Sequence, residues 1–495
     1  MSNIPKGQKR RSIGVKGIVS YGGYLPLNRI DRDIILKGMG WLHQVAHMKG
    51  ERCVANFDED SVTMAIASAM NCLEGYDRDL VGGLYLATTT SPFKERRCAD
   101  IIGTTLDLKS QIRTADFTDS ISAGTSALIA AIDSISAGSA NNILLCASDV
   151  RVGKPGSSQE LSFSDGAASL LLGNEGVVAS LEGHYCVSYD FPDHWRMEDD
   201  KADRAWEDRF GREEGYRKFI PEAISGLLSK YSLRPRDIAK VTFPGIYPRH
   251  HASICKRLGF ESDQIQDHLM TVMGNTGTPY PLMLLISALE DSRPGDKVIV
   301  ASFGNGSDAL LFQVTEEIEK VKGQRRGVRR YLRSKRELNS YERYLAFRSL
   351  ISPEGGIRGE AIPYTALSLM WRDRREILGL CGTQCKECGT PQYPAQRVCV
   401  NPDCGAVDQM EPYRFSDKKG RVFSFTGDLL AFTPNPPGIY AVIDFDGGGR
   451  YWFDVTDCDI ESMEIGMPVE MSLRRKYTDE RGGIVGYFWK AIPVR

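Results

Sequence analysis

Nowhere in the chain is there an apolar run long enough to cross a bilayer. The basic residues near its start, Lys6, Lys9, Arg10 and Arg11, are not followed by the apolar core of a signal peptide. Excess charge is missing too. Against 62 Lys and Arg stand 64 Asp and Glu, a net charge of −2, so no overall field points to nucleic acid or a membrane surface as a partner. There is no disulfide framework either: Cys53, Cys72, Cys98, Cys146, Cys186 and Cys255 are scattered singly along a long chain. The expectation is a cytoplasmic protein in a reducing compartment, whose clustered cysteines serve a metal. With 495 residues, 42% of them apolar and 25% charged, more than one globular domain is expected.

From residue 13 to about 315 short apolar runs alternate with helical patterns. Residues 84–88, 142–147, 168–172 and Lys297–Ala301 read as buried strands, and Ser61–Leu73 and 125–136 carry apolar residues at helical spacing. This order predicts a parallel or mixed sheet covered by helices. A faint internal echo is present: 142–147 leads through Asp165-Gly166-Ala167-Ala168 into a second strand, as Lys297–Ala301 leads through Gly304-Asn305-Gly306-Ser307-Asp308 into another. A duplicated architecture produces such an echo, as does chance similarity between buried strands. Between 316 and 348 the texture turns basic, with Lys320, Lys322, Arg325, Arg326, Arg329, Arg330, Arg333, Lys335 and Arg336. A solvated linker helix is the plain reading; a surface for a ligand's phosphates or an acidic partner is the sharper one. Beyond Cys381, five alternating segments (421–426, 440–444, 451–455, 469–473 and 486–492) separated by Gly-rich turns fit a small Greek-key barrel of the OB type.

The most specific local motif is Cys385-x2-Cys388, then Cys399-x4-Cys404. Thiolates at these spacings sit on two tight knuckles and close a tetrahedral four-sulfur site around zinc, with Gly389, Pro391, Pro402 and Gly405 suited to the turns. A closed shell leaves no open coordination position, so the zinc is expected to be structural. A small ribbon without a core needs it to fold. Cys381, upstream of both knuckles, is read as a spectator.

Several segments then carry a likeness. Residues 57–65 (Phe57 through Ala65) resemble the segment of 3-hydroxy-3-methylglutaryl-CoA synthases that bears their general-base glutamate. Lys154-Pro155-Gly156 with Phe163 through Ala168, Gly274-Asn275-Thr276, and Phe303 through Asp308 are similar to later motifs of that family. The β-ketoacyl-ACP synthase III enzymes share the layout. Residues 370–495 resemble the zinc-ribbon and OB-fold proteins that accompany thiolase-like enzymes in acyl-CoA metabolism. The resemblance implies a thiolase-like α/β fold of two similar βαβαβ halves, followed by a zinc ribbon and a five-stranded OB-fold barrel. The expected domains are 13–180 and 181–315 for the halves, 316–369 for a basic linker, 370–410 for the ribbon with a leading helix, and 411–495 for the barrel.

The resemblance also implies roles. Glu59 matches the general base and Asn275 the polar residue that positions a thioester carbonyl. The bland alternatives are an acidic residue favoured by a helix dipole and a chain-turning asparagine. At the family's nucleophilic cysteine, in the stretch Asp119 through Thr125, this chain has Ile121, flanked by Ser120 and Ser122. At the family's histidine stands Pro244, with Tyr247, His250 and His251 further along the same loop as candidate acids. Backbone amides near Ile121 and Gly306 are the candidate oxyanion donors, since such a hole depends on main chain. Enolate chemistry on a CoA thioester needs a base and oxyanion donors but no covalent nucleophile. The expected activity is therefore carbon–carbon bond formation or cleavage of the aldol type on a coenzyme A thioester. Two alternatives stand beside it: a non-catalytic scaffold that binds acyl-CoA and an active thiolase-type partner, and acyl transfer through an unrecognised nucleophile. A homodimer is expected from the resemblance.

Overall fold

The computed structural model describes residues 15–42, 48–197, 199–355, 364–479 and 481–495; the basic residues Lys6 to Arg11 lie outside them. Among the described residues no helix is long and apolar enough to cross a membrane.

Nine strands form one sheet: β1 Gly17–Tyr24, β2 Gly83–Ala87, β3 Arg113–Phe117, β4 Ile143–Val150, β5 Asp165–Gly173, β6 Ala179–Ser188, β7 Lys240–Thr242, β8 Lys297–Ala301 and β9 Gly306–Val314. Their order across the sheet is β7-β8-β9-β6-β1-β5-β4-β2-β3. The echo in the sequence is real topology. In the first half β2 runs parallel to β4, which turns antiparallel into β5 and then β1; in the second, β7 runs parallel to β8, which turns antiparallel into β9 and then β6. The halves join where Gly17 and Ile18 of β1 pair with Ser180 and Ala179 of β6.

Each half places a helix before its hairpin. Helix α2, Ala123–Ser136, buries Gly124, Leu128, Ala131 and Ile135, the three-to-four spacing of a core-facing stripe. Helix α3, Tyr280–Asp291, is buried without interruption from Tyr280 to Leu289, the pattern of a helix enclosed on all sides. These two helices pack against each other. Helix α1, Ser61–Leu73, starts with a capping box: the Asp60 carboxylate accepts from the Thr63 amide at 2.9 Å and Thr63 Oγ1 accepts from the Asp60 amide at 2.9 Å. Only Ala67 and Met70 of α1 escape burial, because one face lies on the sheet and another meets the C-terminal barrel.

That barrel comprises β10 Lys419–Asp428, β11 Gly438–Phe445, β12 Arg450–Val455, β13 Pro468–Asp479 and β14 Ile484–Pro493, closed in the order β10-β11-β12-β14-β13. Ahead of it, Cys381–Cys385 pairs antiparallel with Pro391–Gln392 and with Met410–Arg414. The ribbon sheet thus runs on to Arg414, whose strand returns to pair with Cys381.

The basic stretch is not a solvated helix. It forms two short helices, Ile318–Val321 and Val328–Arg333, and a strap whose charges are mostly engaged. Arg326 pairs with Glu470 of the barrel at 2.7 Å, Lys335 with Glu51 at 2.8 Å and Arg336 with Asp459 at 3.2 Å; Arg329 pairs with Asp291. Val328 and Tyr331 are buried beneath it. The strap fastens barrel to sheet.

The deepest fastening is ionic. Arg474 on β13 is fully buried and reaches Asp457 at 2.6 Å, Glu59 at 3.0 Å and Asp58 at 3.3 Å, while Lys490 on β14 meets Asp58 at 2.9 Å. Removing one member of such a cluster strands the others without water. Arg474→Met is expected to lower stability by about 3–5 kcal/mol, read as a shift in the chemical unfolding midpoint followed through tryptophan fluorescence.

Candidate active site and metal centre

A cavity of about 790 Å³ opens beside the N-terminus of α2. Its lining includes Ile121, Phe163, Asn275, Phe303, Tyr247 and His250, so the chain brings four of the residues proposed from sequence into one space. The volume falls within the range of small-ligand and cofactor pockets.

Asn275 is held by a turn that only glycine permits at two places. Gly274 and Gly277 adopt φ of +88° and +76°; a Cβ at Gly274 would lie 2.7 Å from Ser164 Cβ, and one at Gly277 2.5 Å from Asp149 Oδ2. The Asn275 backbone bridges to the segment 162–164 beside it, donating to the Ser162 carbonyl and accepting from the Ser164 amide, both at 2.8 Å. Its side-chain oxygen accepts from the Gly277 amide at 3.1 Å, which leaves the NH2 group as the donor. Buried Asp149 fastens the turn: it accepts from Thr278 N at 2.8 Å and Thr278 Oγ1 at 2.9 Å, and from Thr89 N at 2.7 Å. Helix α2 approaches through Gly124, where a Cβ would fall 2.5 Å from the Thr278 carbonyl oxygen.

Ile121 stands at the tip of α2, where the helix dipole favours negative charge, and has no group that can be acylated. Ser120 and Ser122 do not replace it. Their hydroxyls lie 2.8 Å apart, packed over Gly304, and neither lines the cavity. Nor does another cysteine. Cys98 begins the helix Cys98–Thr105, but its thiol contacts Ser91 Oγ at 3.3 Å and burial pushes its pKa up to about 11. Burial takes Cys146 up to about 12. Neither lines the cavity.

Glu59 and Gly306, both expected at the site, have their groups engaged elsewhere. Glu59 is not among the residues lining this cavity. Its carboxylate turns toward the barrel, accepting from the Tyr24 hydroxyl, from the Asn56 amide at 2.8 Å and from Arg474. Burial raises its pKa to about 7 against the pull of Arg474. Gly306, the other proposed oxyanion donor, has its amide committed to the Gly304 carbonyl at 2.7 Å, and a Cβ there would strike the Val187 carbonyl oxygen. His251 is also set aside: it is buried with its ring 4.1 Å from that of Phe243, and burial followed by the His268 charge drives its pKa down to about 3. Tyr247 remains at the cavity, and burial, then the nearby charges of Asp208 and Asp193, raise its pKa so that it stays protonated.

Sequence reasoning missed Asp193 and His194, which line the cavity on a two-strand hairpin: His194–Trp195 pairs with Arg204–Ala205. His194 Nδ1 lies 2.8 Å from Asp193 Oδ1. The adjacent Asp-His pair was the available signal, but nothing local connects it to Asn275, 81 positions on.

In the ribbon the sulfurs of Cys385, Cys388, Cys399 and Cys404 all lie within 4.8 Å of one another, with Cys385 to Cys404 at 3.8 Å and Cys388 to Cys399 at 3.5 Å. A tetrahedron with ~2.3 Å zinc–sulfur bonds has edges of ~3.8 Å, so the four thiols fit zinc. Gly389 and Gly405 close the knuckles at φ of +74° and +57°. Cys381 stands outside the cluster, its thiol directed at the Gly379 carbonyl.

The nine-stranded sheet with paired central helices, carrying a four-thiolate ribbon and a closed barrel, defines a thiolase-like protein with a fused zinc-ribbon and OB module. Residues 376–410 match the ChsH2 rubredoxin-like zinc ribbon domain and residues 413–474 the ChsH2 C-terminal OB-fold domain. The chain is 32% identical over 344 residues to the hydroxymethylglutaryl-CoA synthase of Pyrobaculum aerophilum, covering 68% of this chain and 98% of that protein. It is 31% identical to that of Methanopyrus kandleri, covering 62% and 89%. The chain belongs to the hydroxymethylglutaryl-CoA synthase family. Its fold is similar to HMG-CoA synthase crystallised with CoA (TM-score 0.61, 17% identity, 71% of this chain and 95% of that one) and to 3-oxoacyl-[acyl-carrier-protein] synthase III of Aquifex aeolicus (TM-score 0.54, 19% identity, 60% and 99%).

Two outcomes follow from this geometry. Cys399→Ser is expected to lower bound zinc from one ion per chain toward none and to melt the ribbon, seen by metal analysis and by new proteolysis between residues 381 and 414. Because Glu59 holds its proton more tightly folded than unfolded, its contribution to stability is full below about pH 4.5 and is lost as pH rises through about 7. Relative to Glu59→Gln, the native protein should lose stability across that window in melts taken pH by pH.

Proposed function

We propose that this chain makes or breaks a carbon–carbon bond next to the carbonyl of a coenzyme A thioester, by aldol or retro-aldol chemistry, without becoming acylated. The observation that carries the reading is Ile121 at the helix tip of a cavity that still holds Asn275. The polar machinery around a thioester carbonyl is kept while the nucleophile is gone.

A thioester enolate needs its developing oxyanion met by donors already in place. The Asn275 amide, the N-terminal end of α2 and the protonated Tyr247 hydroxyl border the same space and are suited to that task. CoA as the ligand is supported by family membership and by the CoA complex of a structural relative. The zinc would hold the ribbon's two knuckles together, and its closed thiolate shell gives it no place in the reaction. Glu59 serves in this reading as an anchor for the barrel. Association as a homodimer remains part of the proposal; β3 forms one edge of the sheet and has a strand neighbour on one side only.

A second reading is favoured by one observation: Arg474 of the barrel occupies the carboxylate that matches the family's base. A scaffold for a separate thiolase-type enzyme would tolerate that clamp. Labelled acetyl-CoA separates the readings. No label is expected to survive denaturation of the native protein, whereas Ile121→Cys, with a thiol at a helix N-terminus, should retain some. 3-Hydroxy-3-methylglutaryl-CoA and other 3-hydroxyacyl-CoAs should be cleaved to an acyl-CoA and a carbonyl compound, and Asn275→Ala should slow this by about 10²- to 10³-fold. Label on the native protein would establish acyl transfer instead; turnover only after adding a thiolase would establish the scaffold.

A further inference from the structure

With Glu59 turned away, Pro244 at the family histidine position and His251 buried against Phe243, the cavity still needs a group to move a proton. We propose that His194 is that group, a catalytic acid–base held in position by Asp193; this rests on the enolate reading above.

The geometry is that of an oriented imidazole. Asp193 Oδ1 lies 2.8 Å from His194 Nδ1, a contact that fixes the ring and selects the tautomer with its proton on Nδ1, leaving Nε2 to accept. Both residues line the cavity and both are largely shielded from solvent, with side chains 22% and 15% exposed, enough to admit a ligand but little bulk water. The hairpin beneath them is tied down: the Trp206 amide donates to the Asp193 carbonyl at 2.9 Å, and the Asp203 amide to the Val152 carbonyl at 3.0 Å. Arg151 on the cavity wall is bonded to Asp203 at 3.0 Å, so its charge is already matched.

The adjoining wall is built on a π-helical turn, Gly211–Tyr216, an irregularity often found at functional sites. Gly211 opens it. A Cβ there would sit 3.2 Å from the Tyr247 hydroxyl and 3.6 Å from Asp193 Cβ, so the phenol and the dyad border one point in space. His250 also lines the cavity, but among the described residues no side-chain carboxylate is bonded to its ring.

In the cleaving direction Nε2 takes the proton of the substrate's 3-hydroxyl. The C2–C3 bond breaks, its electron pair passing into the thioester enolate, and a ketone or aldehyde departs. The imidazolium then returns the same proton to C2, giving acyl-CoA. In the joining direction the neutral imidazole first removes a C2 proton, and the imidazolium protonates the new alkoxide. No further reactant is needed in either sense.

The test avoids the unknown carbonyl partner. Full-length protein is incubated with acetyl-CoA or propionyl-CoA in deuterium oxide, and exchange at C2 is followed by mass spectrometry. Native protein should exchange. His194→Ala should slow exchange about 100-fold or more, with thioester binding by calorimetry and thermal melting retained, and added imidazole should restore it. Imidazole should do nothing for Asn275→Ala. His194→Gln carries the same comparison should the alanine variant not fold. Exchange at the native rate in either His194 variant overturns the assignment and leaves the enolate reading standing, as does loss of exchange in Glu59→Gln alone. No exchange by native protein with either thioester overturns both.

Discussion

Arg474 carries a guanidinium into a place without water, and three carboxylates gather around it: Asp457 from its own barrel, Asp58 and Glu59 from the turn that precedes α1. With Lys490 on Asp58 the cluster holds two cations against three acids. Of the three acids, Glu59 is the one whose pKa burial raises against the pull of Arg474, and the Tyr24 hydroxyl donates to it. Barrel and sheet are thereby joined through groups that neither can bury alone. The Arg326–Glu470 pair, Tyr487 donating to Asp60 at 2.8 Å and the Trp489 indole donating to the Leu378 carbonyl at 2.7 Å surround this joint.

That joint reaches the chemistry. A carboxylate drawn into an ion cluster is a poor base for a substrate elsewhere, because moving it would strand Arg474. The cavity keeps what the rest of the fold holds in place: Asn275 on its two-glycine turn, braced by Asp149, and the tip of α2 pressed close by Gly124. Here a family fold is retained with Glu59 drawn into the ion cluster and with Asp193 and His194 lining the cavity.

Much of the architecture was legible. Alternating apolar runs marked the strands, helix α1 came out at Ser61–Leu73 as read, and the paired hairpins showed as a repeat of strand, small-residue turn and strand. The ribbon was the clearest, since its ligands lie on two short knuckles whose spacing alone brings the sulfurs together. The basic strap was less legible: a run of Lys and Arg says nothing about the Glu51, Asp291, Asp459 and Glu470 that meet it from elsewhere in the chain.

Local pattern determined the elements, the barrel's strands, the metal ligands and the isoleucine ahead of helix α2, because periodicity and short-range geometry act between near neighbours. The direction a carboxylate faces was decided by tertiary structure. Glu59 and Arg474 are 415 positions apart, and no spacing in the chain announces that a buried guanidinium will meet that carboxylate. Only the folded arrangement, by removing water from between them, made their attraction strong enough to choose.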